Sequence, residues 1–243
     1  MSRKIKKSPK KTYTPASAQT QAREPLSGKY LFLAKAPEFF TSVFMMLILG
    51  LFPIYFDQFG LTAILEAKLV FFLYASCIYL VLLTLTLIAQ VLTGLVSLPP
   101  LREIPGRLWR GSSFSQKMIV LLALSAIVST LFSPNRVMSW LGYIRYEGLR
   151  VKLLYWGIFL AVSLFGRLND SIGIALGFSG VFMGAVSILQ YIGQNPFGIF
   201  PAGMSYPLND LTKMYIGTIG NINSAAGFYC LMLPFFIAAI ILL

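Results

Sequence analysis

Long apolar runs alternate with short connections along this chain, at about residues 39–56, 69–92, 118–132, 151–166, 172–192 and 225–243. A helix needs about 20 mostly apolar residues to cross a bilayer, with a common range of about 17–25. Four runs meet that length, while 118–132 and 151–166 are shorter and need tilt, flanking residues or a thinned bilayer to span. Every run is longer than the roughly 10-residue alternating strand of a membrane barrel, and in lipid the backbone of each segment must satisfy its own polar groups. The pattern predicts an all-α, polytopic integral membrane protein of about six helices.

Composition agrees: 57% of residues are hydrophobic and 12% charged, against roughly half and a quarter in soluble domains. The chain divides into residues 1–38, a basic tail with too few aliphatic residues to fold, and a transmembrane domain over 39–243. Ala16-Ser17-Ala18 precedes the first apolar run instead of following it, so that run reads as a retained signal anchor. With the N-terminus cytoplasmic, 14 basic residues face the cytoplasm, in the tail, in the loop with Arg102, Arg107, Arg110 and Lys117, and at Arg167; 6 face outward. The positive-inside rule therefore predicts a cytoplasmic N-terminus. One outer loop, 133–152, runs against the rule with Arg136, Arg145, Arg150 and Lys152, and it stays outside only if both short runs span.

The chain has no histidine, which excludes histidine bases, Ser-His-Asp and Cys-His nucleophile systems, and imidazole-held zinc or haem. Cys77 and Cys230 sit in apolar runs, where a thiol is a small buried hydrophobe, and predict neither a disulfide framework nor a metal site. There is no P-loop, no G-x-S-x-G and no acidic cluster, so neither a cofactor nor a metal is expected. The basic tail has no aromatic interleaving and an anchor directly behind it, so nucleic acid is not expected as a partner. Charges are nearly absent within the spans, which weighs against an ion-coupled relay.

Two connections carry candidate chemistry. The loop SPNRVMSWLGYIRYEGLRVK combines four cations with Glu147 and the interfacial aromatics Trp140, Tyr143 and Tyr146. Arginine forks pair with phosphate oxygens, and Gly142 and Gly148 would let a headgroup approach the backbone; equally, these cations simply snorkel to lipid phosphates. The connection 193–224 is nearly uncharged and rich in Gly, Pro, Asn and aromatics, which suits a sugar-binding lid or an ordinary structural loop. At its end, Asn223 or Ser224 is available to cap the last helix. Gly173, Gly177, Gly180 and Gly184 recur at helix-contact spacing in the fifth run, and Pro234 is expected to kink the sixth.

Gly142, Arg145 and Gly148 within SPNRVMSWLGYIRYEGL, then ILQYIGQNP and GTIGNINSAAGFYCLMLPFF, in that order, resemble the O-antigen ligase and O-antigen polymerase superfamily of bacterial polytopic glycosyltransferases. The likeness covers about 132–243, and its most specific part is the G-N-x-N turn before an apolar helix containing Leu-Pro. It implies a GT-C-like helical bundle in the cytoplasmic membrane, transferring or polymerising an undecaprenyl-diphosphate-linked glycan onto an acceptor at the outer face. It further implies that Arg145 holds the carrier diphosphate, with Arg150, Arg136 and Lys152 in weaker supporting roles. Gly142, Gly148, Gly220, Asn221 and Asn223 would shape the loops. No catalytic residue is assigned. The family's usual ten or more spans, and the ligases' histidine in a large outer loop, have no counterpart here. The expectation is therefore an N-terminal half, truncated or completed by a second polypeptide and inactive alone. The rival expectation is a non-catalytic membrane subunit or transporter component whose basic loop binds lipid headgroups.

Overall fold

The computed structural model describes residues 28–57, 63–143, 146–199 and 216–242. The elements are α1 (Gly28–Met46), a π-helical turn (Leu47–Leu51), α2 (Phe52–Ile54), α3 (Ile64–Leu92), α4 (Ile104–Gly111), α5 (Phe114–Leu131), α6 (Arg136–Leu141), α7 (Leu149–Phe165), α8 (Asp170–Tyr191) and α9 (Ile222–Leu242). There is no strand among the described residues. Five segments are long and apolar enough to cross a membrane: Tyr30–Ile54, Ile64–Leu92, Phe114–Leu131, Asp170–Tyr191 and Ile222–Ile241. The protein is thus an all-α polytopic membrane protein.

The run at 151–166 becomes α7, whose 17 residues rise about 25 Å at 1.5 Å per residue, slightly less than the roughly 30 Å hydrocarbon core. Its two ends show that it travels the full distance. Near its C-terminus, Ser163 Oγ accepts a hydrogen bond from Gln116 Nε2 at 2.8 Å, in the first turn of α5. At its N-terminus it packs against α6, which follows the far end of α5. Helices α5 and α7 therefore form an antiparallel pair, with α7 beside the five candidate spans.

Contacts at the two ends sort the connections. At the end where α1 starts, Gln90 near the C-terminus of α3 reaches Leu33, Arg167 pairs with Glu38 at 2.8 Å, and Asn169 reaches Ser42. At the other end Phe52 of the first span, Ile64 and Lys68 at the start of α3, Tyr146 and Glu147, and Asn221 before α9 line one cavity. Tyr146 and Glu147 of the basic loop thus share a face with Lys68 and the GNIN turn, opposite the start of α1.

Helix α1 begins at Gly28, well before the expected start at Phe39, so the tail's last residues are helical; residues 1–27 lie outside the described residues. The first span contains two prolines, and each leaves a carbonyl four residues earlier without its helical donor. Other helices supply the missing donors. Gln90 Nε2 of α3 donates to Leu33 O at 2.8 Å, opposite Pro37, and Ser179 Oγ of α8 donates to Leu49 O at 2.7 Å, opposite Pro53. The π-helical turn lies between them, and there Gly50 meets Ala175 of α8 so closely that an added Cβ would lie 3.0 Å from Ala175 Cβ. Along the α1–α3 seam, Phe44 stacks on Tyr79 at 4.3 Å, and the Tyr79 hydroxyl bonds to Thr41.

Several sequence expectations change. Asn221, not Asn223 or Ser224, caps α9: its Oδ1 accepts from the Asn223 and Ser224 amides at 2.9 and 3.2 Å. It wins because it stands at the turn just before the helix, whereas the other two already lie within it. Cys77 and Cys230 are exposed on their helices and unpaired, since apolar composition does not say which side of a lipid-embedded helix faces protein. Of the glycine series, Gly180 packs beneath Met232 and Phe236 and Gly177 beneath Phe235, but Gly173 and Gly184 meet nothing within 4 Å. Helix α9 continues through Pro234.

Candidate functional site

The first span ends raggedly. After the π-helical turn, α2 lasts one short turn and the chain turns extended at Tyr55, which leaves carbonyls at depth without helical donors. Lys68, one turn into α3, fills that gap. Its Nζ donates to Phe52 O at 2.7 Å, Pro53 O at 3.1 Å and Tyr55 O at 2.8 Å, and lies 4.9 Å from the centre of the Phe52 ring. Nζ thus has three carbonyl oxygens within hydrogen-bond distance and no carboxylate paired with it among the described residues. Among the described residues the only salt bridges are Arg107–Glu103 and Arg167–Glu38, both elsewhere. Thr218 Oγ1 donates to Pro53 O at 2.6 Å from the opposite side.

Thr218 is held there by the turn before α9. The buried Gln190 side chain at the end of α8 grips Gly217 at both backbone groups, donating to its carbonyl at 3.2 Å and accepting from its amide at 2.8 Å. Gly220 has φ +82°, and a Cβ at that position would fall 2.1 Å from Ile64 Cγ2. The turn is thereby pressed onto the start of α3, which brings Asn221 beside Lys68.

The loop before α7 closes the third side. Gly142 takes φ +80°, where only glycine is comfortable. A Cβ on Gly148 would meet Trp140 O at 2.2 Å and Gly142 N at 2.3 Å. The two glycines pack against each other's backbone, so their bare Cα positions serve the crossing of the loop and not the approach of a headgroup. Gly148→Ala is expected to destabilise the protein by about 1–3 kcal/mol, because backbone has to shift. The check is thermal stability in detergent beside Gly157→Ala, whose Cβ meets nothing within 4 Å; equal melting of the two variants would refute the role given to Gly148.

Together these pieces enclose a cavity of about 420 Å³, lined among others by Lys68, Phe72, Tyr146, Glu147, Tyr155, Asn221 and Ser224. A second cavity, of about 380 Å³, is almost wholly apolar and shares Phe52, Lys68 and Ile219 with the first; Leu49, Leu231 and Met232 are among its other walls. A chamber of mixed polar and apolar lining and an almost wholly apolar one thus share a wall that carries the buried lysine.

The predicted site residues divide. Arg145 lies outside the described residues, although Tyr146 beside it lines the polar cavity. Arg150 is exposed in the first turn of α7, and Arg136 is exposed where α6 begins. Lys152 lines a smaller neighbouring cavity of about 300 Å³ with Gly142, Glu147 and Gly148. Asn221 reaches the main cavity as well as capping α9, Gly220 lines it too, and Asn223 is exposed. In the connection after α8, Phe197 packs on Phe56 and Phe182, while 200–215 lie outside the described residues. Sequence reasoning missed Lys68 and Gln190. Lys68 was placed in a loop because the apolar run was started one residue after it; the available signal was a lone cation abutting a span.

Fold and site define a multi-pass helical membrane protein with a polar cavity at one membrane face, backed by an apolar cavity. Comparison with protein-family models, curated proteins and solved structures returns no match.

Proposed function

We propose that the chain is a ligase- or polymerase-like membrane glycosyltransferase that binds a polyprenyl-diphosphate-linked glycan at the face carrying the basic loop. In this reading the tail is cytoplasmic and the cavity opens to the outer side of a bacterial cytoplasmic membrane. The supporting observation is a convergence: the two stretches on which the family resemblance rests, 75 residues apart between Tyr146 and Asn221, line one cavity. The residues suit such a substrate. Lys68 places an amine on the cavity wall in a low-dielectric setting, where its protonated form would favour a diphosphate more than it would in water. Asn221, Ser224 and Tyr146 offer hydrogen-bonding groups for sugar hydroxyls, and the apolar cavity behind suits the first units of an isoprenoid chain. Arg145 would stabilise charge developing on the departing diphosphate. Glycan acceptor, membrane lipids and a second polypeptide packed on the bundle complete the set of proposed partners.

Cells deprived of this chain are expected to lose a surface polysaccharide and to accumulate its polyprenyl-diphosphate-linked precursor, read by mass spectrometry of extracted lipids. Unchanged surface glycan without precursor accumulation would sink the reading.

A further inference from the structure

A further groove lies at the opposite face from the proposed glycan site and is independent of it. It measures about 780 Å³ and runs between the first half of α1 and the corner joining α7 to α8. Its α1 wall comprises Leu31, Lys35, Glu38, Phe39, Val43 and Met46, among others, which recur every three or four residues and so form one stripe. From Leu31 to Met46 that stripe extends about 22 Å along the helix, more than the roughly 15 Å of one hydrocarbon leaflet. Its charges lie partway along it: Lys35 and Glu38 follow Leu31 and Phe32 on α1, and Arg167 stands across from them at the corner.

The electrostatics are unbalanced in a definite direction. Arg167 pairs with Glu38 at 2.8 Å through a single guanidinium nitrogen, and its side chain stays 76% exposed, so most of its donor fork is free for a second acceptor. Lys35 is exposed and has no ion pair among the described residues. Among the lining residues two cations stand against one carboxylate, so the lining itself carries a net positive charge, with Asp170 beside it at the start of α8. Below the charges the α1 wall is uncharged and mostly apolar: Phe39, Val43 and Met46 continue inward, with Ser42 as its polar member.

We propose that this groove binds one anionic phospholipid from the bilayer, its phosphate on Lys35 and Arg167 and an acyl chain along the α1 stripe. Phosphate accepts from the guanidinium fork and from the ammonium as a point charge, and the chain leaves water and headgroup region for a preformed apolar wall. A zwitterionic lipid offers the same tail but no net charge, so the site discriminates by headgroup.

The test is native mass spectrometry of the full chain, released from mild detergent and titrated with phosphatidylglycerol or phosphatidylcholine of the same acyl composition. Wild type is expected to hold one phosphatidylglycerol more tightly than phosphatidylcholine. The double variant Lys35→Gln/Arg167→Gln is expected to weaken that adduct roughly thirty-fold, from about five-fold per cation near an anionic group. Glu38→Gln should strengthen it several-fold, which a merely structural Arg–Glu pair does not predict. Val43→Trp keeps the charges but fills the groove, and should remove the adduct even if the double variant fails to fold. Arg102→Gln, a basic position on the same face that does not line the groove, should leave it intact. Equal retention in wild type and both groove variants overturns the proposal. So does equal binding of the two lipids, or a dimer whose formation is lost in Val43→Trp while lipid binding is unchanged.

Discussion

Arg145→Ala is expected to lower glycan transfer by about 10²–10³-fold, with insertion and thermal stability kept at wild-type level. The size follows from what one preorganised cationic donor contributes to stabilising charge on a departing group. The choice of residue follows from the sequence: the next two residues, Tyr146 and Glu147, line the cavity. Arg145→Lys keeps the charge but loses the fork, and should retain a fraction of the activity. Arg136→Ala and Arg150→Ala are the comparison, because both side chains are exposed and neither lines the cavity; each should cost less than about ten-fold, in line with a rim charge that steers without positioning. Transfer and precursor turnover are to be measured in native membranes from cells carrying each variant of the full chain. Normal transfer by Arg145→Ala would remove this residue from the carrier site, even if the chain proves to be a glycosyltransferase.

Lys68→Met should destabilise the protein by about 3 kcal/mol or more. Methionine matches the length of the stem but donates nothing, so the carbonyls of Phe52, Pro53 and Tyr55 lose a shared cationic donor. Hydrogen bonds to charged groups contribute about 1.5–3 kcal/mol each, and a buried acceptor left bare costs about 1–3 kcal/mol. The total stays below the sum of three because removing the ammonium also removes its own desolvation cost. Pro53 is the most sensitive acceptor, since Thr218 donates to the same oxygen and ties the turn before α9 to it. Loss of Lys68 should therefore loosen the GNIN turn as well as the end of the first span. Melting in detergent, followed by size-exclusion chromatography, reads the effect; Lys35→Met, at an exposed position, is the control expected within about 0.5 kcal/mol of wild type. If Lys68→Met melts with wild type, the lysine does not hold the first span's end, and its charge is present for the cavity alone.

These two residues show how differently the site was legible. The loop around Arg145 stood out because four cations on an expected outer face break a rule of membrane topology. Lys68 did not stand out, because its meaning depends on carbonyls set free by a helix end 13 to 16 residues earlier and on a threonine far along the chain. Gln190 is similar. A lone amide near a span's end has no reading by itself, yet it secures both backbone groups of Gly217.

By itself the sequence determined the class of protein and the places of its helices, as 172–192 against Asp170–Tyr191 and 69–92 against Ile64–Leu92 illustrate. The reason is physical: in lipid an unpaired backbone group costs several kcal/mol, so a sufficiently long apolar run has to become a helix. Tertiary structure alone decided which sides of those helices meet. A segment that is apolar all round has no periodic stripe to say which face turns inward, and Cys77 and Cys230 were misplaced for that reason. Tertiary structure also decided how the first span tolerates Pro37 and Pro53, since the donors come from Gln90 and Ser179 on other helices. The cavity is of the same kind: Lys68, Glu147 and Asn221 line it together only because the packed helices bring their ends to one face, and no local pattern encodes that return.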